Sequence, residues 1–177
     1  MHKERVAIFI DGSNFYYSTA KKGKKVKFNK LANELVGDRE LVNVYYYGAP
    51  LDIKTDAKKY WAHHRFLNML KEIPKFKVIL CNLKKIKSGG DFVYIVKGDD
   101  VKLSNNLLMG AVDDLYDTAI VVSGDEDFVD SIKIVRERYK KKVENAYFSR
   151  SSSSNLRKAC DSTINLNKIL KRFVDEE

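Results

Sequence analysis

The stretch Val6-Ala7-Ile8-Phe9-Ile10-Asp11-Gly12-Ser13-Asn14 decides the fold. An unbroken apolar run, rich in β-branched side chains, passes straight into an aspartate and a turn. A later stretch repeats the pattern, with Thr118-Ala119-Ile120-Val121-Val122 running into Ser123-Gly124-Asp125-Glu126-Asp127-Phe128. Continuous runs of this length predict strands buried on both faces of a parallel sheet. In such sheets ligands bind beyond the carboxyl ends of the strands, where the strand order reverses. Two strands that both end in carboxylates would gather several negative oxygens in one crevice. Like charges packed that closely are unfavourable unless a cation joins them, so the pattern points to a hard-metal site.

Working outward, residues 15–20 predict a short helix or turn. Phe28, Leu31, Ala32 and Leu35 have helical spacing over 28–36, with Gly37 as the stop. Residues 42–47 read as a second strand and 76–81 as a third. Between them, 55–73 is the longest helical segment, with Trp61, Phe66, Leu67 and Leu70 on its apolar side and Pro74 ending it. Residues 83–96, folded about Ser88-Gly89-Gly90-Asp91, predict a β-hairpin excursion. A helix over 100–115 would bury Val101, Leu107, Leu108, Ala111 and Leu115. Residues 118–122 are the fourth strand, 128–139 a helix and 143–148 the fifth strand. After the serine-rich loop Ser151 to Ser154 come a short helix over 155–160, a short extended stretch over 163–166 and a final helix over 167–174. Strands alternating with helices predict a doubly wound α/β fold: a central, mostly parallel five-stranded sheet flanked by helices, with right-handed crossovers and the hairpin set apart.

The 177 residues suit a single domain spanning 1–177, large enough for a core without disulfides. A hydrophobic content of 44% with 32% charged residues excludes a disordered chain. Cys81 and Cys160 lie far apart in sequence and form no CxxC pair, which fits a reducing cytoplasm and argues against a zinc site built on them. The opening apolar run is too short for a signal peptide and ends in an aspartate, and nothing approaches a membrane span. The expected location is cytoplasmic, away from any membrane.

The net charge is +9 although the apparent site is acidic, a combination that suits a polyanionic partner steered toward a cation-filled pocket. The cations cluster in Lys21-Lys22-Gly23-Lys24-Lys25-Val26-Lys27, in Lys84-Lys85-Ile86-Lys87 and in Arg138-Tyr139-Lys140-Lys141-Lys142. The first two are candidate nucleic-acid contacts. The third follows a helix, where cations favour the C-terminal dipole in any case.

Taken alone, Asp11 to Asn14 fit turn and N-cap chemistry as well as they fit a cation site. Asp125 and Asp127, spaced i, i+2 after Gly124, form the stronger pair, because a cap needs only one aspartate. Glu126 between them is expected to face outward. Asp130, one helical turn past Asp127, is a further candidate for the cleft. Asp99 and Asp100 open a helix, where aspartate is favoured anyway, and gain weight from the clusters around them. Mg²⁺ or Mn²⁺ suits such an oxygen-rich site, and one or two ions could activate water for attack on a phosphodiester. His63 and His64 lack the HExxH spacing and read as surface or packing residues. No P-loop, dinucleotide glycine fingerprint or GxSxG elbow is present.

With these residues in view, the chain resembles the NYN domain family, and most closely its LabA-like branch, relatives of PIN-domain and FLAP-type nucleases. The resemblance is carried by Ile8-Phe9-Ile10-Asp11-Gly12-Ser13-Asn14-Phe15, by Lys97-Gly98-Asp99-Asp100-Val101-Lys102-Leu103, by Tyr116 through Phe128, and by Asn155-Leu156-Arg157-Lys158-Ala159-Cys160-Asp161. It implies a Rossmann-like PIN fold and a metal-dependent ribonuclease. Asp11, Asp100, Asp125 and Asp127 match the family's acidic positions and Asn14 its polar one, Ser123 would support the site, and Asp161 matches a recurrent position with a structural role. The family often has an aspartate six residues after Asp100. Here that position is Asn106, and Asp130 stands where relatives are usually uncharged.

The leading expectation is therefore an endoribonuclease that hydrolyses single-stranded or structured RNA with Mg²⁺ or Mn²⁺. Lys21, Lys22, Lys24, Lys25, Lys27, Lys84, Lys85 and Lys87 would contact phosphates. Tyr16 and Tyr17 would stack on unpaired bases, and Tyr94 is a candidate for stacking or for core packing. The alternative is a catalytically weak RNA-binding or regulatory module, suggested by Asn106. A haloacid-dehalogenase-like phosphatase is set aside, since that chemistry needs a second aspartate at the position of Ser13. The sequence leaves open a homo-oligomer and a regulatory protein partner.

Overall fold

Strand β1 (Arg5–Asp11) lies at the centre of the computed structural model, which describes residues 3–20, 25–51 and 56–175. Its parallel neighbours are β2 (Glu40–Gly48) and β6 (Thr118–Val122). With β3 (Phe76–Leu80), β7 (Lys142–Tyr147) and β8 (Ser162–Asn165) they form a six-stranded sheet of order β3-β2-β1-β6-β7-β8. Every pairing in that sheet is parallel. The chain builds outward from β1 to β3, then returns to the other side of β1 and builds outward again through β8. The order thus reverses between β1 and β6, which makes their carboxyl ends the natural binding crevice.

The sheet has one strand more than the five expected. The extra strand, β8, pairs with β7 from Glu144↔Ser162 to Tyr147↔Asn165. The short extended stretch expected over 163–166 is this strand, and it joins the sheet because the edge of β7 gives its backbone partners. The final helix expected over 167–174 is instead two short pieces, α7 (Leu166–Ile169) and a 3₁₀ turn at Leu170–Arg172.

Alternate residues of β1 serve two cores, as strand geometry requires. Val6, Ile8 and Ile10 pack on one face with α2 (Phe28–Val36), α3 (Ala57–Lys71) and the C-terminal segment, through Leu31, Leu35, Leu67, Leu70, Leu166 and Phe173. Ala7 and Phe9 pack on the other with α4 (Asp99–Val112), α5 (Val129–Tyr139) and α6 (Ser154–Ala159), through Leu103, Leu107, Ile132, Val135 and Leu156. The segment between α1 (Gly12–Ala20) and α2 is tied down by Val26, which bridges Val174, and by the Lys27 N–H, which donates to the Phe173 carbonyl. Strands β4 (Asn82–Ser88) and β5 (Asp91–Lys97) form the expected separate antiparallel hairpin, which leads directly into α4.

Two helix faces differ from expectation. Trp61 was expected on the apolar side of α3 but is 49% exposed, because Leu67 and Leu70 mark the side that meets the sheet. Val101, expected among the buried positions of α4, is also exposed, because Leu103, Leu107 and Ala111 mark the side of that helix that packs on the core.

Candidate metal centre at the switch point

Asp11 is the last residue of β1 and is only 5% exposed. Burial pushes its carboxyl upward, while hydrogen bonds to the charged form pull it back. The Asn14 N–H donates to Oδ1 at 3.0 Å and the Ser123 hydroxyl to Oδ2 at 2.8 Å. Ser123 Oγ also accepts from the Asp125 N–H at 3.1 Å, and Asn14 Oδ1 accepts from the Gly124 N–H at 3.1 Å. Asp11, Asn14 and Ser123 therefore lock the turn after β1 to the turn after β6.

Backbone contact makes these turns tight. A Cβ at Gly12 would lie 2.3 Å from the Tyr47 carbonyl oxygen, and one at Gly124 only 1.5 Å from that of Ser151. The Ser153 N–H donates to the Gly124 carbonyl at 2.9 Å, so the serine-rich loop is packed against the Asp125 turn.

Asp125 caps the 3₁₀ turn Glu126–Phe128, accepting from the Asp127 N–H at 3.1 Å. Capping and clustering coexist: Asp100, Asp125 and Asp127 each offer a carboxylate oxygen within 4.8 Å of the others. Asp100 is half-buried in the first turn of α4, and its pKa is pushed up to about 6 by burial and by the charges of Asp99, Asp11, Asp125 and Asp127. Among the described residues none of these five carboxylates has an ion-pair partner. Oxygen donors with unrelieved mutual repulsion fit a hard divalent cation.

The other expected residues fall around this group. Asp11 and Asp99 lie outside the trio itself but close enough to raise Asp100. Ser13 Oγ reaches Asp99 at 3.5 Å. Glu126 is exposed and turns aside, accepting from Ser153 Oγ at 2.8 Å and Asn155 Nδ2 at 3.3 Å. Asp130 is exposed on α5 and is not part of the trio. Asn106 directs its amide to the Tyr47 hydroxyl at 3.0 Å. Asp161 is a structural anchor: burial pushes its carboxyl up, yet Arg136, at 2.6 and 2.9 Å, and the Val143 N–H hold it below the usual range.

Of the expected phosphate contacts, Lys21, Lys22 and Lys24 lie outside the described residues. Lys25 is exposed, whereas Lys27 is paired with Asp175 at 3.3 Å. Lys84, Lys85 and Lys87 are exposed along β4. Tyr16 and Tyr17, on α1 just beyond Asn14, are 64% and 73% exposed, with rings 5.9 Å apart edge to face. The side chain of Tyr94 lies outside what the structure describes.

Two features escaped the sequence reading. Asn145 of β7 is fully buried, and its amide donates to the Val121 carbonyl at 3.0 Å and the Ser123 carbonyl at 2.9 Å, fixing the end of β6. No clear signal was available, because β7 also carries Lys142 and Glu144 and its asparagine does not stand out. The second is a groove of about 380 Å³ beside the acidic turn, lined by Glu126, Val129, Lys133, Asn155, Lys158 and Ala159. Its residues come from three elements, and no local motif marks it.

The parallel α/β sheet with an acidic cleft at its switch point agrees with the PIN-like nuclease fold that the family match implies. The chain belongs to the NYN domain family, whose profile matches residues 5–167 and whose members are generally nucleases. Among solved structures it is similar to VPA0982 from Vibrio parahaemolyticus RIMD 2210633, described as a protein of unknown function. The two share 26% identity over 98% of each chain, with a TM-score of 0.73. No curated protein matches the chain.

Proposed function

We propose that this protein is a metal-dependent endoribonuclease that hydrolyses RNA phosphodiester bonds. The observation that carries the proposal is the trio of carboxylates gathered within 4.8 Å of one another at the switch point. Asp100, Asp125 and Asp127 would hold Mg²⁺ or Mn²⁺, with Asp11 completing the acidic set. When bound, the ion would polarise water and neutralise the oxygen that leaves phosphorus.

The remaining roles belong to the chain's own residues. Ser123 and Asn14 fix the Asp11 carboxylate and the Asp125 turn in one arrangement, so little reorganisation precedes reaction. Lys25, the β4 lysines and the groove lined by Lys133 and Lys158 supply positive charge for the RNA backbone. Tyr16 and Tyr17 offer exposed rings beside Asn14 for unpaired bases.

A second reading, an RNA-binding or regulatory module with weak catalysis, is favoured by Asn106, which presents an amide where the family often has a carboxylate. Cleavage of labelled single-stranded RNA and matched DNA with Mn²⁺, Mg²⁺ or EDTA separates the two readings. The nuclease reading expects RNA cutting that requires metal and falls below detection in Asp125→Asn. RNA binding without cutting, unchanged by that substitution, would establish the module instead.

A further inference from the structure

The outward side of α3 carries a group of aromatic rings that neither core absorbs. The Tyr60 and Trp61 rings meet edge to face at 5.1 Å and 82°. Tyr60 lies nearly parallel to the His64 ring at 6.1 Å and 23°, and Trp61 meets His64 edge-on at 5.8 Å. His64 Nδ1 is within 3.3 Å of Asn68 Nδ2, which restrains the imidazole from one turn further along. Trp61 is half-exposed and His64 exposed, whereas Leu67 and Leu70 take the sheet side of the helix. Large flat rings in solvent gain most from a flat apolar partner.

The surrounding charge selects the partner. From Ala57 to Lys71 the helix carries Lys58, Lys59, Arg65 and Lys71 and no acidic residue. Lys59 is partly neutralised by the capping Asp56 at 3.5 Å. Lys58 and Arg65 precede and follow Trp61 by three and four positions, so helical geometry places all three on one stripe. An aromatic surface flanked by cations suits bases joined by phosphates better than it suits an apolar protein surface.

Its position also fits. Asp11 pairs with Tyr47 in the sheet, and His63 Nε2 is bonded to the carbonyl of Ala49, two residues further, at 2.9 Å. The first turns of α3 therefore stand at the same end of the sheet as the carboxylates.

We propose that Trp61, Tyr60 and His64 form a stacking platform for unpaired bases of single-stranded RNA, with Lys58 and Arg65 contacting the flanking phosphates. This rests on the nuclease reading and makes its substrate an unpaired strand that extends from the acidic cleft onto α3.

Trp61 is the only tryptophan in the chain, so its fluorescence reports this surface alone. The test uses the non-cleaving Asp125→Asn protein with three probes: a short oligouridylate, a duplex of the same length and an abasic ribose-phosphate strand. Anisotropy of the labelled strand reports total binding. The expected result is quenching of Trp61 by oligouridylate, little by the duplex and none by the abasic strand. Trp61→Ala should weaken oligouridylate binding by about tenfold, leave abasic binding unchanged and melt at the temperature of its parent. Oligouridylate binding with unmoved Trp61 emission and no effect of Trp61→Ala would overturn the platform, as would an absence of RNA binding. A fluorescence change that follows protein concentration without RNA would also overturn it and make this face a self-association surface. Metal-dependent cutting by the unsubstituted protein is measured separately. A failed platform therefore leaves the nuclease standing, and a failed nuclease leaves the platform testable.

Discussion

The two ends of the central sheet treat the same residue type in opposite ways. At the amino ends, Asp117 accepts from the Arg5 backbone N–H and from its guanidinium, each at 2.8 Å, and is held down at about 2 by those bonds. Asp114 is shared by Arg5 and Lys141, and Arg39 pairs with Glu144 at 2.9 Å and Glu4 at 3.5 Å. The cavity at that end, about 370 Å³, includes Asp117, Glu4 and Lys141, all members of these pairs. At the carboxyl ends, burial and neighbouring carboxylates push Asp11 and Asp100 upward, and no described cation answers them. One end balances its own charge and serves stability. The other carries an electrostatic cost at neutral pH that a bound cation or protonation would relieve, the pattern expected of a functional site.

This contrast can be broken most severely through the backbone of the acidic turn. Gly124→Ala would drive a methyl into the Ser151 carbonyl, and the turn or the serine loop must shift. A loss of about 3 kcal/mol is expected, seen as a fall of roughly 6–12 °C in Tm together with lost RNA cleavage. An unchanged melting curve would show that the close approach is not maintained in solution.

The pH dependence of the two ends sharpens the comparison. A carboxyl raised by folding costs stability wherever its folded form is charged, so the Asp100 cost is complete above about 6 and fades as pH falls toward 3.8. In EDTA, Asp100→Asn should raise Tm by a few degrees at neutral pH and give no advantage near 3.8. Mg²⁺ or Mn²⁺ should raise the Tm of the unsubstituted protein but not of this variant. Asp117 has the opposite sign. Its contribution is complete above 3.8 and is lost as pH falls through about 2. Asp117→Asn should lower Tm at neutral pH by a smaller amount, and the deficit should disappear in strong acid. Parallel pH profiles for the two variants would refute the division between the ends.

The smallest effect is expected at Asn106. Replacing it with aspartate adds a carboxylate beside the Tyr47 hydroxyl, and metal affinity or cleavage rate should rise by a few-fold in a titration with Mn²⁺. If neither moves, Asn106 belongs to the packing of α4 and not to the site.

How much of this was legible in advance varies with the range of the interaction. The apolar runs before Asp11 and Ser123 gave β1 and β6 correctly, because a strand buried on both faces must be apolar at every position. The spacing of Phe28, Leu31, Ala32 and Leu35 gave α2 for an equally local reason. The extended stretch expected over 163–166 corresponds to β8, but its place in the sheet was missed because that comes from pairing with β7. Trp61 was misplaced because helical spacing alone does not say which side of a helix the sheet will take. The pairing of Lys27 with Asp175 was equally invisible, because the C-terminal segment brings that carboxylate from far along the chain.

By itself the sequence determined the alternation of strands and helices, the carboxylates at the strand ends, the hairpin and the excess of positive charge. These follow from local patterning and composition, which need no knowledge of distant partners. Tertiary structure decided the sixth strand, the gathering of Asp100 with Asp125 and Asp127, the Asp11–Ser123 lock, the burial of Asn145 and the exposed rings on α3. Each of these depends on which segments the parallel crossovers carry together, across separations as long as the 112 residues between Asp11 and Ser123. Hydrogen bonding, packing and charge repulsion act at a few ångströms, and only the folded chain brings the groups within that range.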